Sequence, residues 1–220
     1  MSAAHAPPEP ALELYDAESF QATIGASARQ MADMRAFRDL LIEWNGRMNL
    51  VGPSALGEFW RRHALDSAQL RDHAPHARTW ADLGAGAGFP GLVLAILAKG
   101  KPGAQVHLVE SAAKRCRFLQ AVVDALSLPA SVHNARAEAL VLDVDVVTAR
   151  ACAPLVKLLG YAWPYLRGGA TGLFLKGHDV ELELQAAAKY WKFDAELIPS
   201  ISFFEGRVVQ LKRVSRVRPG

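Results

Sequence analysis

Three glycines at alternate positions, Gly84, Gly86 and Gly88, follow an acid, Asp82, and lead through Phe89-Pro90-Gly91 into the apolar run Leu92 to Ala98. This is the signature of a buried strand, a tight turn and a buried helix. Glycine lets the backbone approach a ligand closely at positive φ, and the helix that follows points free N–H groups back at the turn. The spacing Gly86-x-Gly88-x-x-Gly91 also matches a dinucleotide fingerprint. Two residues argue against that ligand. Asp82 would oppose a pyrophosphate lying on the turn, and Pro90 has no N–H to offer it. A carboxylate at Asp82 suits an amino-acid ammonium. A ligand with an adenine, a ribose and a zwitterionic tail but no phosphate fits the turn better, and that is S-adenosyl-L-methionine, which would leave as S-adenosyl-L-homocysteine.

In open α/β sheets ligands lie beyond the carboxyl ends of the strands, and this rule selects further residues. The second strand, Gln105 to Glu110, ends in a carboxylate whose two oxygens can accept from both ribose hydroxyls; the plainer role for Glu110 is a cap on the next helix. The third strand leads to Arg136-Ala137-Glu138. There the backbone around Ala137 would contact the adenine ring and Glu138 would accept from its amino group. The fourth strand leads to Ala149-Arg150-Ala151-Cys152-Ala153-Pro154, where the acceptor should meet the methyl group. Arg150 there would orient a phosphate or a base edge.

Enzymes that methylate exocyclic amines usually carry an Asp/Asn-Pro-Pro-aromatic run at this place, and it is missing here. Cys152 suggests attack on a cytosine ring, but no second element supports a thiolate nucleophile, and a free cysteine is commonly a small buried hydrophobe. A ring nitrogen with a free lone pair, such as guanine N7, needs no general base. Catalysis would then be positioning for an in-line displacement, with Arg150 as its main agent and no metal or covalent intermediate.

Arg62, His63 and Asp66 are three and four residues apart on a predicted helix, so they share a face. That face either closes over the cofactor turn or carries a solvated salt bridge. Arg61, Arg62, Lys114, Arg115, Arg117, Lys176, Lys212, Arg213, Arg216 and Arg218 are the cations available to a nucleic-acid backbone, with Lys176, at the end of the fifth strand, best placed. Arg62, His63, Asp66, Lys114, Arg115 and Lys176 are the candidate substrate-side residues.

The elements that must position these groups follow from the pattern. Residues 1–11 are expected to be a disordered tail and 12–77 a helical cap. The cap has a short helix from Leu12 to Ile24, a longer one from Ala28 to Trp44 ended by Gly46, and a third capped by Ser54. Met31, Met34, Phe37, Leu41 and Trp44 make an apolar core stripe. Residues 78–214 alternate strand and helix, which implies a mostly parallel sheet covered on both faces. The strands after Glu110 are predicted at Ala130–Asn134, Val144–Thr148 and Thr171–Leu175. The helices are predicted at Ala112–Leu126, at Pro154–Leu166 with Pro164 breaking the last turn, and at Val180–Trp191. Two closing strands, Ala195–Ser200 and Arg207–Arg213, supply an antiparallel edge. A basic tail, 215–220, ends the chain.

The bulk numbers set limits. The chain has 220 residues, 51% apolar and 21% charged, enough for a large core. A net charge of +3 permits an anionic partner without requiring one. Two cysteines form no zinc set, and no apolar run is long enough for a membrane span. A cytoplasmic monomer is the expectation. The residues alone leave open a small-molecule or protein methyltransferase, a nicotinamide-binding protein and a non-catalytic binding module.

Taken in order, several motifs resemble one family. They are Asn49-Leu50, Arg62-His63-x-Leu65-Asp66-Ser67, Asp82-x-Gly84-x-Gly86-x-Gly88-Phe89-Pro90-Gly91, Lys114-Arg115-x-x-Phe118-Leu119, Ala149-Arg150-Ala151 and Lys176-Gly177. Together, from about Ala28 to Arg213, they resemble the bacterial ribosomal small-subunit RNA methyltransferase G family, also called glucose-inhibited division protein B. The resemblance implies a class I methyltransferase fold, seven strands in a Rossmann-like arrangement, and methyl transfer from S-adenosylmethionine to guanine N7 of 16S rRNA. It implies cofactor contacts at Gly84, Phe89, Ala137, Glu138 and Arg150, with Glu110 at the ribose. Ala85, Ala87 and Phe89 depart from the residues common at their positions, without consequence for a cradle made by backbone.

Overall fold

A computed structural model of the chain describes residues 15–52 and 56–217. The expected tail at 1–11, the first residues of the helix expected from Leu12, the Ser54 cap and Arg218 lie outside the described residues.

Asp16 accepts the Ser19 N–H and starts α1 (Ala17–Ile24). A reciprocal capping box between Ser27 and Gln30 starts α2 (Ala28–Met48). Gly46 does not end this helix. Asn49, left-handed at φ 52°, does so five residues after Trp44, with its N–H on the Asn45 carbonyl. Gly46 sits inside the last turn as an ordinary helical residue. The third helical segment, α3, begins as a π-helix (Phe59–Leu65), passes through one α-turn (Asp66–Ala68) and ends as a 3-10 helix (Gln69–His73).

The rest alternates: β1 (Thr79–Leu83), α4 (Gly91–Ala98), β2 (Gln105–Glu110), α5 (Ala113–Leu126), β3 (Ala130–Asn134), a 3-10 turn (Ala137–Ala139), β4 (Val146–Arg150), α6 (Leu155–Leu166), β5 (Thr171–Lys176), α7 (Val180–Ala188), β6 (Trp191–Pro199) and β7 (Arg207–Arg216). One seven-stranded sheet runs β3-β2-β1-β4-β5-β7-β6. The first five strands are parallel, and β7 pairs antiparallel with both β5 and β6. The sheet reverses direction of growth between β1 and β4, so their carboxyl ends form the crevice in which such folds bind ligands. Among the described residues no helix is long and apolar enough to cross a membrane.

Several boundaries differ from the sequence reading, each for a physical reason. β4 starts at Val146 because Asp145 is occupied before it: its carboxylate accepts the N–H groups of Arg78 and Thr79 and the Thr79 hydroxyl. At its other end β4 stays paired with β5 through Arg150, opposite Leu175, so Arg150 is its last residue and not a loop residue beyond it. Pro164 does not break α6, whose final turn is held by the buried Tyr165 and Leu166 and closed by the Arg167 N–H on the Trp163 carbonyl. α7 stops at Ala188, and Trp191 opens β6, buried with its ring 5.5 Å from that of Trp163. β7 continues to Arg216, whose guanidinium lies 5.1 Å over the Trp191 ring.

The α2 stripe is core. Met31, Met34, Phe37 and Leu41 are buried in the same cluster as α4 and the inner residues of β1 and β2, and Trp44 packs on Phe118. Each such side chain contributes about 1.5–3 kcal/mol through burial. Phe37 and Phe59 both touch Phe89, with centroids 5.3 and 5.9 Å away. The helical segment is therefore anchored directly on the glycine turn.

Candidate active site

The turn after β1 is built as a cradle. The N–H groups of Gly84 and Ala85 both donate to the Val109 carbonyl, at 2.8 and 3.1 Å, which ties the turn to β2. Gly84 is left-handed at φ 71°, and a Cβ there would lie 3.0 Å from the Cys152 sulfur. Asp82 is fully buried. Its Oδ2 accepts the Gly91 N–H at 2.8 Å, while Oδ1 is buried with no partner. A buried acceptor left without a donor is costly, so the site is suited to a ligand that brings one. The Gly91 bond also takes up the first N–H of α4, which a pyrophosphate would need. Burial is the main reason that the Asp82 carboxyl is pushed up to about 7, with the nearby Glu110 charge adding to it.

Glu110 fills the plainer of its two expected roles and also ties down the glycine turn. Its Oε1 accepts the Ala112 N–H at 2.8 Å and so caps α5; its Oε2 accepts the Gly86 N–H at 3.1 Å. Each oxygen keeps a second lone pair for a hydroxyl. Arg115 reaches the same carboxylate at 3.7 Å, so it stands behind Glu110; Lys114 is exposed beside it on α5. Ala137 and Glu138 lie on the 3-10 turn, which the Tyr165 hydroxyl anchors by donating to the Ala137 carbonyl at 3.1 Å. Gly84, Ser111, Ala137, Glu138, Cys152 and Tyr161 line a cleft of about 150 Å³. Sequence reasoning missed Tyr161, whose one signal was its place on the helix following β4.

On the other side of Cys152 the site opens into a cavity of about 770 Å³, lined among others by Arg62, His63, Asp66, Arg150, Lys176 and Phe203. Cys152 borders both spaces. Its thiol is pushed up, chiefly by burial and then by Asp82 and Glu110, so the protonated form prevails and a nucleophilic role finds no support. Arg150 is held from the cap. Its Nη1 donates to the Arg62 carbonyl at 3.0 Å and to His63 Nδ1 at 2.6 Å, and lies 3.9 Å from Asp66 Oδ2. Burial, then the Arg150 and Arg62 charges, lowers His63 to about 4, which keeps its imidazole neutral and able to accept. The His63 ring stacks on Phe89 at 4.9 Å, and the Arg150 guanidinium lies 4.9 Å over that same ring. Ala151, at φ 50°, holds the strained left-handed backbone that turns the chain away after Arg150.

Arg62, His63 and Asp66 do face one space, but no solvated Arg62–Asp66 salt bridge forms among the described residues. Asp66 turns to the β6–β7 loop and accepts from the Ser202 hydroxyl at 2.6 Å, the Ser200 hydroxyl at 3.3 Å and the Gln69 amide at 3.0 Å. Arg62 lies 4.1 Å over the Phe203 ring. The Lys176 ammonium is not presented to the surface. It donates inward to the Ala153 carbonyl at 2.8 Å and to Glu183 at 2.7 Å, and only 11% of its side chain is exposed. It braces the strand end, and its place at the end of β5 gave no sign of Glu183, seven residues on in the first turn of α7.

The chain matches known proteins in sequence and in fold. Residues 30–211 match the family described as rRNA small subunit methyltransferase G. The chain is 63% identical over 203 residues to ribosomal RNA small subunit methyltransferase G of Caulobacter vibrioides, covering 92% of this chain and 94% of that protein. It is 60% identical to the protein of that name from Caulobacter sp. (strain K31), with 94% of each covered. In fold it resembles a putative O-methyltransferase from Klebsiella pneumoniae, with TM-score 0.53 and 11% identity over 80% of this chain and 89% of that one. It also resembles a SAM-dependent methyltransferase from Aquifex aeolicus, with TM-score 0.51 and 15% identity over 74% and 95% of the two chains.

Proposed function

The chain belongs to the rRNA small subunit methyltransferase G family, and we propose that it methylates guanine N7 in 16S rRNA with S-adenosyl-L-methionine as donor. The observation that carries this reading is the meeting of two spaces at Cys152: a cleft lined by Gly84, Ala137 and Glu138, and a larger cavity with Arg150 on its wall. The donor supplies an electrophilic methyl on a sulfonium. Gly84, Ala137 and Glu138 would hold its nucleoside, Glu110 its ribose hydroxyls and Asp82 Oδ1 its ammonium. The remaining work is orientation. Arg150, held by neutral His63, faces the acceptor with a planar cation suited to a base edge or phosphate. No side chain needs to remove a proton from a ring nitrogen that already has a lone pair.

The test is incubation of the purified chain with labelled donor and 16S rRNA or small subunits, followed by nucleoside analysis. Label is expected on guanine N7; label on an exocyclic amine or a ring carbon refutes the acceptor.

The cofactor assignment carries its own pH signature. Below about pH 7 the Asp82 carboxyl holds a proton, which an approaching ammonium would have to displace. Affinity for S-adenosyl-L-homocysteine, measured by calorimetry, should therefore rise with pH, by up to about tenfold per unit, and level off above the folded value. Without ligand the sign reverses. The folded state keeps a proton that the unfolded chain releases near 3.8, so the Asp82 contribution to stability falls as pH rises from there to about 7. Asp82→Asn should remove both slopes, and Glu110→Ala should cost about 1–3 kcal/mol of cofactor affinity. A flat pH profile in the unaltered chain, or undiminished binding by both variants, removes these assignments.

A further inference from the structure

The loop between β6 and β7, residues 200–206, presents an aromatic ring that nothing in the described chain covers. Phe204 is 92% exposed and Ile201 56%, while Ser202, Phe203 and Gly206 of the same loop line the large cavity. A loop of this kind could move freely, but this one is fastened to α3. Besides the Asp66 bonds to Ser200 and Ser202, Gln69 donates to the Ser200 hydroxyl at 3.0 Å and accepts the Ile201 N–H at 3.0 Å. Arg61 donates to the Ser202 carbonyl at 3.2 Å, and Arg62 lies over Phe203. Within the loop, Ser200 N–H donates to the Gly206 carbonyl and Arg207 to the Phe204 carbonyl. A half-buried carboxylate and a buried amide are thus committed to fastening one surface loop.

An exposed ring on a fastened loop, beside cations and at the rim of the acceptor cavity, has the chemistry of a base-stacking surface. We propose that Phe204 stacks on an unpaired RNA base that neighbours the guanine in the cavity. This rests on the RNA reading above. Every base has a π-face, so such stacking strengthens binding with little sequence preference. Because the loop is already ordered, little conformational freedom is lost on contact. Arg61 and Arg62 lie on the α3 side of the loop, where the sugar–phosphate chain on either side of that base would need neutralising.

The test uses the full chain with Phe204→Ala, Phe204→Leu and Phe204→Trp. Three quantities are measured: the Kd for transcribed 16S rRNA by filter binding, the KM for methylation of naked 16S rRNA and of assembled subunits, and the affinity for S-adenosyl-L-homocysteine. The alanine and leucine variants should bind rRNA about tenfold more weakly and show the same rise in KM on both substrates, and the tryptophan variant should match the original. Cofactor affinity should hold in all three, since Phe204 touches neither the cleft nor the core. Unchanged rRNA binding in Phe204→Ala overturns the proposal. So does full binding by Phe204→Leu, which would mean apolar contact without stacking, and so does a defect confined to assembled subunits, which would mean a ribosomal protein is the partner. The two readings fail separately: no methyl on rRNA from the unaltered chain refutes the function, whereas normal transfer with an indifferent Phe204→Ala refutes the stacking surface alone.

Discussion

Arg150→Ala is expected to lower the rate of methyl transfer to rRNA by about 10²–10³-fold, the scale of losing one preorganised electrostatic group. The chain should still fold. The guanidinium sits at the end of β4 and not within it, and what it holds together is polar: the Arg62 carbonyl, His63 Nδ1 and, more distantly, Asp66. Its loss frees an acceptor on each of the first two and removes the planar cation from the cavity wall. Arg150→Lys should not rescue the rate, because an ammonium cannot meet the His63 nitrogen and the Arg62 carbonyl while lying flat over Phe89. His63→Phe separates support from contact. It keeps a ring on Phe89 but takes away the acceptor, so it should slow turnover less than Arg150→Ala and leave S-adenosyl-L-homocysteine binding alone. Single-turnover rates at saturating donor, with binding measured independently, decide the matter. Normal turnover in Arg150→Ala would reduce the residue to a brace between β4 and the cap.

Much of this arrangement was readable from residues alone, because it depends on backbone chemistry that leaves marks in sequence. The alternating glycines marked the turn, the acids near the ends of β1 and β2 marked two carboxylates that meet its backbone, and strand–helix alternation gave the sheet and its antiparallel edge. What could not be read depends on contacts between distant segments. Asp66 lies four residues after Arg62, the spacing of a helical ion pair, yet a π-helical turn and the loop hydroxyls at Ser200 and Ser202 draw it elsewhere. Lys176 reads as a free cation at a strand end until Glu183 is seen to fold back upon it. Asp145 moves the start of β4 by binding the N–H groups that open β1, sixty-odd residues earlier in the chain. Gly46 and Asn49 show the local version of the same limit: either can end a helix, and it is Asn49 that turns left-handed and closes on the Asn45 carbonyl.

Gly91→Ala should damage the cradle and the core together. The Cβ it introduces would lie 2.3 Å from Leu108 Cδ2, 2.7 Å from Asp82 Oδ2 and 3.0 Å from Asp82 Cβ. Leu108 and Asp82 are both fully buried on neighbouring strands, so neither has space to retreat. Either α4 moves off the sheet or the bond from the Gly91 N–H to Asp82 is broken. Overpacking of this kind and the loss of a buried charged hydrogen bond together should cost about 2–5 kcal/mol. That is about 2–4 °C of Tm for each kcal/mol in a chain of this length. Cofactor affinity should fall with stability, since Asp82 serves both. Gly46→Ala is the matched control. It is helical, exposed and open, with nothing within 4 Å of the added carbon, and alanine there should raise stability by about 0.5–1 kcal/mol through helix propensity. Thermal unfolding of the two variants, each with and without S-adenosyl-L-homocysteine, reads out both effects. A Gly91→Ala chain as stable and as firmly liganded as its parent would mean that the close approach of α4 to β1 is not what shapes the site.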